Sequence, residues 1–244
     1  MKRKLFAFGL CLLAATAIAA GGNIILIDNF NDGDSEGWEE TDFTGGRGSF
    51  DASSGAYVLS TTEKIPVDDP SVGTLDADWE ASEDNPRYAN GTLRARIRAN
   101  TDGTTVGLLM RDTHELEADY GFYGSTSFGT FYIEYFNFSE SPDAPQEIIA
   151  MADPEDFPFV VGVTYILEAK VVGHRLSLKA WREGDSEPAE PMLVVRDMRL
   201  SAEDASGLAA IAFFDPIPLM EQGIQEVSVN ATIDDITFTS GGGH

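Results

Sequence analysis

Apolar and polar residues alternate in short runs along nearly the whole chain, and Gly, Pro, Asp and Asn separate the runs. The clearest run is GTLRARIRAN, which places two sets of side chains on opposite faces: Leu93, Ala95, Ile97 and Ala99 against Arg94, Arg96 and Arg98. A period of two with one apolar face is typical of a half-buried antiparallel strand. Helical periodicity is almost absent, so the pattern predicts an all-β protein.

Turn signals between the runs predict how the strands connect. Residues 52–55 separate GSFD from AYVLST, and residues 125–127 separate ADYGFYGS from GTFYIEYFNF. Residues 101–103, Thr-Asp-Gly, separate GTLRARIRAN from TTVGLLMRDT, and a short turn of this kind predicts a hairpin. One helical turn is expected, at residues 201–204.

About a dozen such runs in one domain predict two packed antiparallel sheets, a jelly-roll sandwich. No linker divides the chain, so we expect a signal peptide over residues 1–19, a single β-sandwich domain over 20–240 and a flexible tail over 241–244. The first and last strands often lie side by side in such folds. We therefore expect NIILIDNF beside ATIDDITF.

The N-terminal residues predict export. MKRK supplies a basic start, a short apolar run follows, and Ala-Ile-Ala at 17–19 fits signal-peptidase cleavage. The apolar run is shorter than the roughly 20 residues of a membrane span, so membrane insertion is not expected. Cys11 is the only cysteine and lies in this segment, so the secreted protein, extracellular or periplasmic, has no disulfide.

The charge narrows the classes of partner. The formal net charge is −25, which repels nucleic acids and anionic membrane surfaces. Partners are therefore expected to be neutral, cationic or metal ions, and the oligomeric state stays open.

Four segments in this order resemble a known superfamily: DNFNDGDSEGW, GTLRARIRANTDGTTVGLLMRD, TYILEAKVVGHRLSLKAWREGDSEP and ATIDDITF. Together they resemble the concanavalin A-like lectin/glucanase superfamily, in particular its laminin-G-like branch in secreted bacterial proteins. The resemblance implies a concanavalin A-like jelly roll. That superfamily includes lectins, adhesion modules and glycan hydrolases, so a shared fold does not choose the function.

The acidic stretch DNFNDGDSEGW nearly matches an EF-hand loop, but Phe30 occupies a ligand position. The resemblance implies a different site, a structural calcium ion where the first strand meets the last. Its ligands would be Asp28 or Asp32 together with Asp234 or Asp235, because carboxylates brought together repel unless a cation joins them. The alternative is a solvated acidic turn with a terminal Asp capping backbone donors.

Two stretches of the chain offer candidate catalytic carboxylates. The glucanases of the superfamily place E-x-D-x-E on a strand, and a retaining glycosidase needs two carboxyl groups about 5 Å apart. Residues 183–187, EGDSE, match that spelling, but Pro188 follows at once and the segment reads as a loop. Glu115, Glu117 and Asp119 form a second row of carboxylates, for which a solvated strand edge is favoured.

An aromatic stretch, YGFYGSTSFGTFYIEYFNF, offers a sugar-binding surface, because sugar rings stack on aromatic planes. Phe131, Ile133 and Tyr135 are expected in the core. The alternative is that the packed sheets bury all of these rings. The candidate ligand-binding residues are Trp79 in a loop and, on the concave sheet, Arg111, Tyr123, Tyr132 and Glu134.

These observations favour a secreted, non-catalytic carbohydrate-binding or adhesion module, with a polysaccharide or glycan as partner and calcium as a structural ion. Two alternatives stay open: a secreted glycoside hydrolase or lyase of the same superfamily, and an acidic ion-binding surface protein. The three histidines are widely spaced, and no zinc motif is present.

Overall fold

Two antiparallel sheets pack face to face in the computed structural model, which describes residues 24–68, 73–79, 88–113, 118–139, 146–201 and 207–241. The elements in chain order are β1 (Ile24–Asp28), β2 (Trp38–Asp42), β3 (Gly48–Asp51), β4 (Tyr57–Thr61), β5 (Ile65–Pro66), β6 (Leu75–Trp79), β7 (Gly91–Ala99), β8 (Thr105–Thr113), β9 (Ala118–Ser125), β10 (Thr130–Asn137), β11 (Gln146–Met151), β12 (Tyr165–Val172), β13 (Arg175–Arg182), β14 (Leu193–Arg196), β15 (Gly207–Phe213), α1 (Pro216–Glu221), β16 (Glu226–Val227) and β17 (Asn230–Ser240).

The eight-stranded sheet has the order β14-β13-β12-β7-β17-β4-β3, with β1 also paired to β17. The seven-stranded sheet has the order β11-β10-β9-β8-β15-β6-β2, and β5 pairs with β16 in a small ribbon. The predicted two-sheet antiparallel sandwich is therefore confirmed.

The core lies between the two sheets and follows the predicted alternation. In β7, Leu93, Ala95 and Ile97 expose at most 1% of their surface, while the arginines between them lie on the outer face. In the seven-stranded sheet, Phe131 and Ile133 of β10 lie in the same core, as expected. Apolar burial of this kind stabilises by about 25 cal/mol per Å² of surface removed from water.

The first and last strands lie side by side, as predicted. Ile24 of β1 pairs with Thr239 of β17, and Asp28 pairs with Ile236. The ladder between β17 and β7 is irregular between Asp234 and Thr237, where Asp235 has a φ of 51°. A bulge of this kind bends the strand and redirects the side chains beside it.

Two predicted hairpins are confirmed and one is wrong. β3 pairs with β4 and β9 pairs with β10, but β7 and β8, which flank residues 101–103, belong to different sheets. Thr101 Oγ1 donates a hydrogen bond of 2.7 Å to the carbonyl of Ser228, which holds the connection to the start of β17. The turn therefore carries the chain from one layer of the sandwich to the other.

The one helix of the described residues, α1, lies in a Pro-containing segment, whereas the one helical turn expected from the sequence was at residues 201–204. Helix α1 carries proline in its first turn, where a missing N–H is tolerated. The helical turn expected at residues 201–204 and the leader at residues 1–19 lie outside the described residues, apart from Ser201. In the part of the chain that is described, no helix has the length and apolarity to cross a membrane.

Candidate functional site

Carboxylates and tyrosines gather on the outer face of the seven-stranded sheet, the face turned away from the core. The strand register places them in two neighbouring rows across five strands. The first row is Asp78, Ala209, Leu109, Gly121 and Glu134, and the second is Asp76, Ile211, Gly107, Tyr123 and Tyr132. We call this surface the carboxylate–tyrosine face and include in it Asp112, Asp119 and Asp215, which lie beside these rows.

Two glycines make room for the Tyr123 ring. A Cβ at Gly121 would lie 2.0 Å from the Tyr123 hydroxyl oxygen, and a Cβ at Gly107 would lie 2.6 Å from Tyr123 Cδ1. The ring therefore lies flat along β9 over Gly121, in the direction of Asp119. A side chain at either glycine position would lift the ring off the sheet.

The rings on this face form one cluster. The Tyr123 ring centroid is 5.1 Å from that of Tyr132 and 5.1 Å from that of Phe213, and Phe128 packs edge-on against Tyr132 at 5.5 Å. Separations of this size are favourable for aromatic pairs. Tyr123 and Tyr132 are buried, and the half-buried Asp76 and Asp78 mark where solvent reaches the face along β6.

Asp215 anchors one end of the face. It lies between β15 and α1, and its carboxylate accepts hydrogen bonds from Thr105, from Ser125 at 2.9 Å and from Tyr132 at 3.1 Å. Burial raises the pKa of Asp215, although these three hydrogen bonds oppose the rise. The three hydroxyls thus hold the start of β8, the end of β9 and the first part of β10 around one carboxylate.

At the other end, two carboxyl oxygens have no partner. Among the described residues, Asp76 Oδ1 and Asp119 Oδ1 are buried and form no hydrogen bond. A buried polar atom without a partner costs about 1–3 kcal/mol. Most such atoms in proteins are satisfied, so each exception calls for an explanation, and a ligand hydroxyl is one.

Three carboxyl groups on this face, those of Asp76, Asp119 and Glu134, have pKa values raised toward the neutral form. Burial and then neighbouring carboxylates raise the pKa of Asp76 and of Asp119 well above the usual range. Burial, and secondarily the charge of Asp215, raises the pKa of Glu134 to about 8. A protonated carboxyl group is both a hydrogen-bond donor and an acceptor, which suits it to sugar hydroxyls or to proton transfer.

Glu134 and Asp119 are diagonal neighbours on adjacent strands. Glu134 pairs with Gly121, and Asp119 stands two residues before Gly121 on the same face. Such diagonal positions lie roughly 7–8 Å apart. The two side chains therefore project from neighbouring points of one face, and the carboxyl groups of glycosidases are about 5–9.5 Å apart.

Arg111, expected beside the tyrosines, lies elsewhere. Its φ of 56° falls where the β8–β9 register shifts, and this turns the side chain off the face. The guanidinium is buried and donates to the carbonyls of Ala89, Leu200 and Gly173 and to Asn90 Oδ1. Arg111 therefore joins loops rather than offering its charge to a ligand.

Trp79 is also placed differently from the prediction. It is the last residue of β6, not part of a loop, and it pairs in register with Trp38. The two indole centroids are 5.3 Å apart, with the rings edge to face. Trp79 thus closes the edge of the core and faces away from the carboxylate–tyrosine face.

The residues expected to bind calcium lie at the seam of β1 and β17. Asp28 accepts hydrogen bonds from the Phe30 N–H at 2.8 Å and from Trp38 Nε1 at 2.9 Å. Arg96 pairs with Asp234 at 2.9 Å and with Asp235 at 3.2 Å, so a guanidinium already supplies positive charge there.

Asp32 is exposed in the acidic turn and accepts a weak hydrogen bond of 3.4 Å from the Asp34 N–H. Over the described residues, no group of three or more His, Cys, Asp or Glu side chains is arranged for a metal ion. The Arg96 guanidinium and the N–H groups that contact Asp28 therefore favour these pairings over a bound ion. Calcium at this seam stays a prediction.

The two carboxylate motifs of the sequence contribute little to the face. Glu183 and Glu187 lie in the loop after β13 and form ion pairs with Arg96 and Arg94, on the opposite sheet. Glu115 and Glu117 lie outside the described residues, and Asp119 is the one member of that row on the face.

Several residues of the face were not predicted from the sequence, namely Asp76, Asp78, Asp112 and Asp215. The signal for the first two was present, because Leu75, Ala77 and Trp79 alternate with them in LDADW. For Asp215, the Pro-rich sequence around it indicates only a loop.

No protein-family model matches the chain, and no curated protein matches its sequence. Solved structures match its fold. The carbohydrate-binding module CBM66 from Bacillus subtilis is 14% identical with a TM-score of 0.53, over 84% of this chain and 96% of that one. SCLam, a non-specific endo-β-1,3(4)-glucanase from family GH16, is 11% identical with a TM-score of 0.55, over 92% of this chain and 93% of that one.

The exoplasmic/lumenal domain of VIP36 in its Ca²⁺-bound form also matches the fold of this chain. It is 11% identical with a TM-score of 0.56, over 89% of this chain and 90% of that one. These likenesses establish a concanavalin A-like jelly-roll fold for the chain. The narrower laminin-G-like resemblance stays a prediction.

Proposed function

We propose that this protein binds carbohydrate on the carboxylate–tyrosine face. The observation that carries the proposal is the pair of unpartnered carboxyl oxygens, Asp76 Oδ1 and Asp119 Oδ1, beside the Tyr123 and Tyr132 rings. A sugar supplies what this surface lacks, because its hydroxyls satisfy the oxygens. Tyr123 and Tyr132 expose at most 2% of their surface, so packing of a sugar C–H face on these rings requires the face to open on binding.

The structural neighbours support the same class of ligand. A carbohydrate-binding module and a glucanase share the fold over most of the chain. Their sequences are too distant to transfer a ligand, so the class of substrate rests on the side chains of the face. Export of the protein, expected from its N-terminal residues, would bring it to extracellular glycans.

An Asp119→Leu variant tests the binding site. A glycan array with the wild type first identifies a glycan that the protein binds. Leucine at position 119 removes a buried oxygen that has no partner, so the fold should keep or gain stability. Binding to that glycan should weaken about tenfold or more. Asp185→Leu, at an exposed loop position, is the matched control and should bind as the wild type does. Unchanged affinity in a stable Asp119→Leu protein would remove the face as the binding site.

Hydrolysis is the second candidate function, and one observation favours it. Glu134, whose pKa is raised to about 8, is protonated at neutral pH and lies diagonally across from Asp119. Glycoside hydrolysis needs a neutral acid near an ionised carboxylate, so this function also requires that the bound glycan lower the raised pKa of Asp119. The site then binds the glycan and cleaves it.

Release of reducing ends separates the two functions. If the protein is a hydrolase, the wild type releases reducing ends from the bound glycan, and Glu134→Gln abolishes the release while binding persists. If it is a binding module, the wild type releases none. Glu155→Gln, an exposed glutamate, serves as the control for the loss of one carboxylate.

A further inference from the structure

The outer face of the eight-stranded sheet concentrates positive charge in an otherwise acidic chain. Seven of the 16 Lys and Arg residues project from its strands: Arg94, Arg96, Arg98, Lys170, Arg175, Lys179 and Arg196. This face lies on the other side of the sandwich from the carboxylate–tyrosine face, so a ligand site here is independent of the proposed function.

Three of these cations are neutralised by acids on the same face. Arg94 pairs with Glu168 and Glu187, and Lys179 pairs with Glu187 at 3.0 Å. Arg96 forms ion pairs with Asp234 and Asp235 at the β17 bulge. Burial raises the pKa of Glu187, but Lys179 and Arg94 outweigh it and hold that pKa below its usual range. These pairs need no further anion.

Lys170, Arg175 and Arg196 differ, because among the described residues none of them forms an ion pair. Arg175 and Arg196 are direct register partners in the β13–β14 ladder. Lys170 pairs with Ser177, the next outward residue after Arg175. Like charges directly opposite each other on one sheet face repel, so this arrangement favours an anion between them.

A groove lies at this point. It has a volume of about 410 Å³, and the polar residues that line it are Glu168, Lys170, Arg175, Ser177 and Lys179. Its volume falls in the range of about 300–1,000 Å³ that small-ligand sites occupy. Lys170 and Arg175 are exposed, so their charged ends are free to contact a ligand.

We propose that this groove binds the anionic group of an acidic polysaccharide, a carboxylate or a sulfate. Lys170 and Arg175 supply the charge, Arg196 adds charge beside them as the register partner of Arg175, and Ser177 supplies a hydroxyl for the sugar. Charge-assisted hydrogen bonds from lysine and arginine to anionic oxygens are about twice as strong as neutral ones.

The lining distinguishes a polysaccharide from a nucleic acid. The groove contains no aromatic side chain, and the nearby Trp181 ring is covered by the Arg94 guanidinium at 5.1 Å. Bases therefore have no ring on which to stack, and stacking is a main source of affinity for single strands. A sugar with an anionic substituent needs only the cations and the hydroxyl.

The test measures binding of the full protein to polygalacturonate, dextran sulfate, neutral dextran and a single-stranded DNA oligonucleotide. We expect binding to polygalacturonate, to dextran sulfate or to both, which tells carboxylate from sulfate, and none to neutral dextran. Affinity should fall at least tenfold between about 20 and about 200 mM NaCl, because salt screens exposed charges. Equal or tighter binding to DNA would overturn the proposal.

Matched variants locate the site. Lys170→Gln combined with Arg175→Gln should weaken binding on the order of tenfold per cation, whereas Lys170→Arg with Arg175→Lys should retain most of it. Arg182→Gln removes one charge at the far end of β13, roughly 23 Å away at ~3.3 Å per residue, and should leave binding unchanged.

Two further results would contradict the proposal. One is polysaccharide binding that the double Gln variant leaves unchanged. The other is self-association of the wild type, measured by light scattering, that the same variant abolishes, because the groove would then take the acidic surface of a second copy. All positions changed are exposed, so each variant is expected to fold, and a thermal melt checks this.

Discussion

Glu134 gives the sharpest test of the electrostatics of the carboxylate–tyrosine face. Its pKa is raised from 4.5 to about 8, first by burial and then by Asp215. The folded protein therefore holds a proton that the unfolded chain releases between these two values. Because of this difference, the stability of the fold falls as pH rises from about 4.5 to about 8, and Glu134 causes no further loss above that.

The size of the pKa shift sets the size of the effect. One pKa unit corresponds to about 1.4 kcal/mol, so a shift from 4.5 to about 8 costs about 4–5 kcal/mol of folding free energy at high pH relative to low pH. Glu134→Gln removes the titrating group and keeps the shape. The variant should therefore gain stability over the wild type by about 3–4 kcal/mol between pH 5 and pH 8.

Urea unfolding at pH 5, 6, 7 and 8 measures this difference. Other buried carboxyls titrate in both proteins, so the wild-type and variant curves both move with pH, and their difference isolates Glu134. For a chain of this size the gain amounts to roughly 10 °C in Tm. Glu155→Gln should track the wild type at every pH. A Glu134→Gln difference that stays constant from pH 5 to pH 8 would show that Glu134 does not titrate in this range.

Three further predictions concern other parts of the molecule. Arg111→Met should cost at least about 3 kcal/mol, because it leaves buried carbonyls without donors, whereas Arg182→Met should change stability by less than about 0.5 kcal/mol in the same unfolding assay. Gly121→Ala should weaken glycan binding and cost about 1–3 kcal/mol, because its Cβ collides with the Tyr123 hydroxyl; normal binding by this variant would contradict the placement of the ring. Calcium should raise Tm no more than magnesium does, because Arg96 already pairs with the acids at the seam, and a calcium-specific rise that follows ligand concentration would instead establish the ion site.

Most of the fold was predictable because one face of nearly every strand is apolar. The alternation in GTLRARIRAN placed Leu93, Ala95 and Ile97 in the core, and the structure confirms it. The connection between β7 and β8 was not predictable, since Thr-Asp-Gly fits both a hairpin and a link between sheets. Which one forms depends on contacts far along the chain, such as the hydrogen bond from Thr101 to Ser228.

The site was predictable only in part. Tyr123, Tyr132 and Glu134 lie together on one face, as the alternation in β9 and β10 suggested. Arg111 does not, because a bulge with positive φ reverses the direction that a regular strand would give its side chain. Asp215 reaches the face through a turn between β15 and α1, and local sequence carries no information about such long-range pairing.

The decisive experiment on carbohydrate binding is a crystal structure of the protein with the glycan identified by the array. We expect the face to open enough to expose Tyr123 or Tyr132 to a sugar ring, with a sugar hydroxyl within hydrogen-bonding distance of Asp76 Oδ1 or Asp119 Oδ1. A sugar bound elsewhere, with those two oxygens still without partners, would contradict the proposed site.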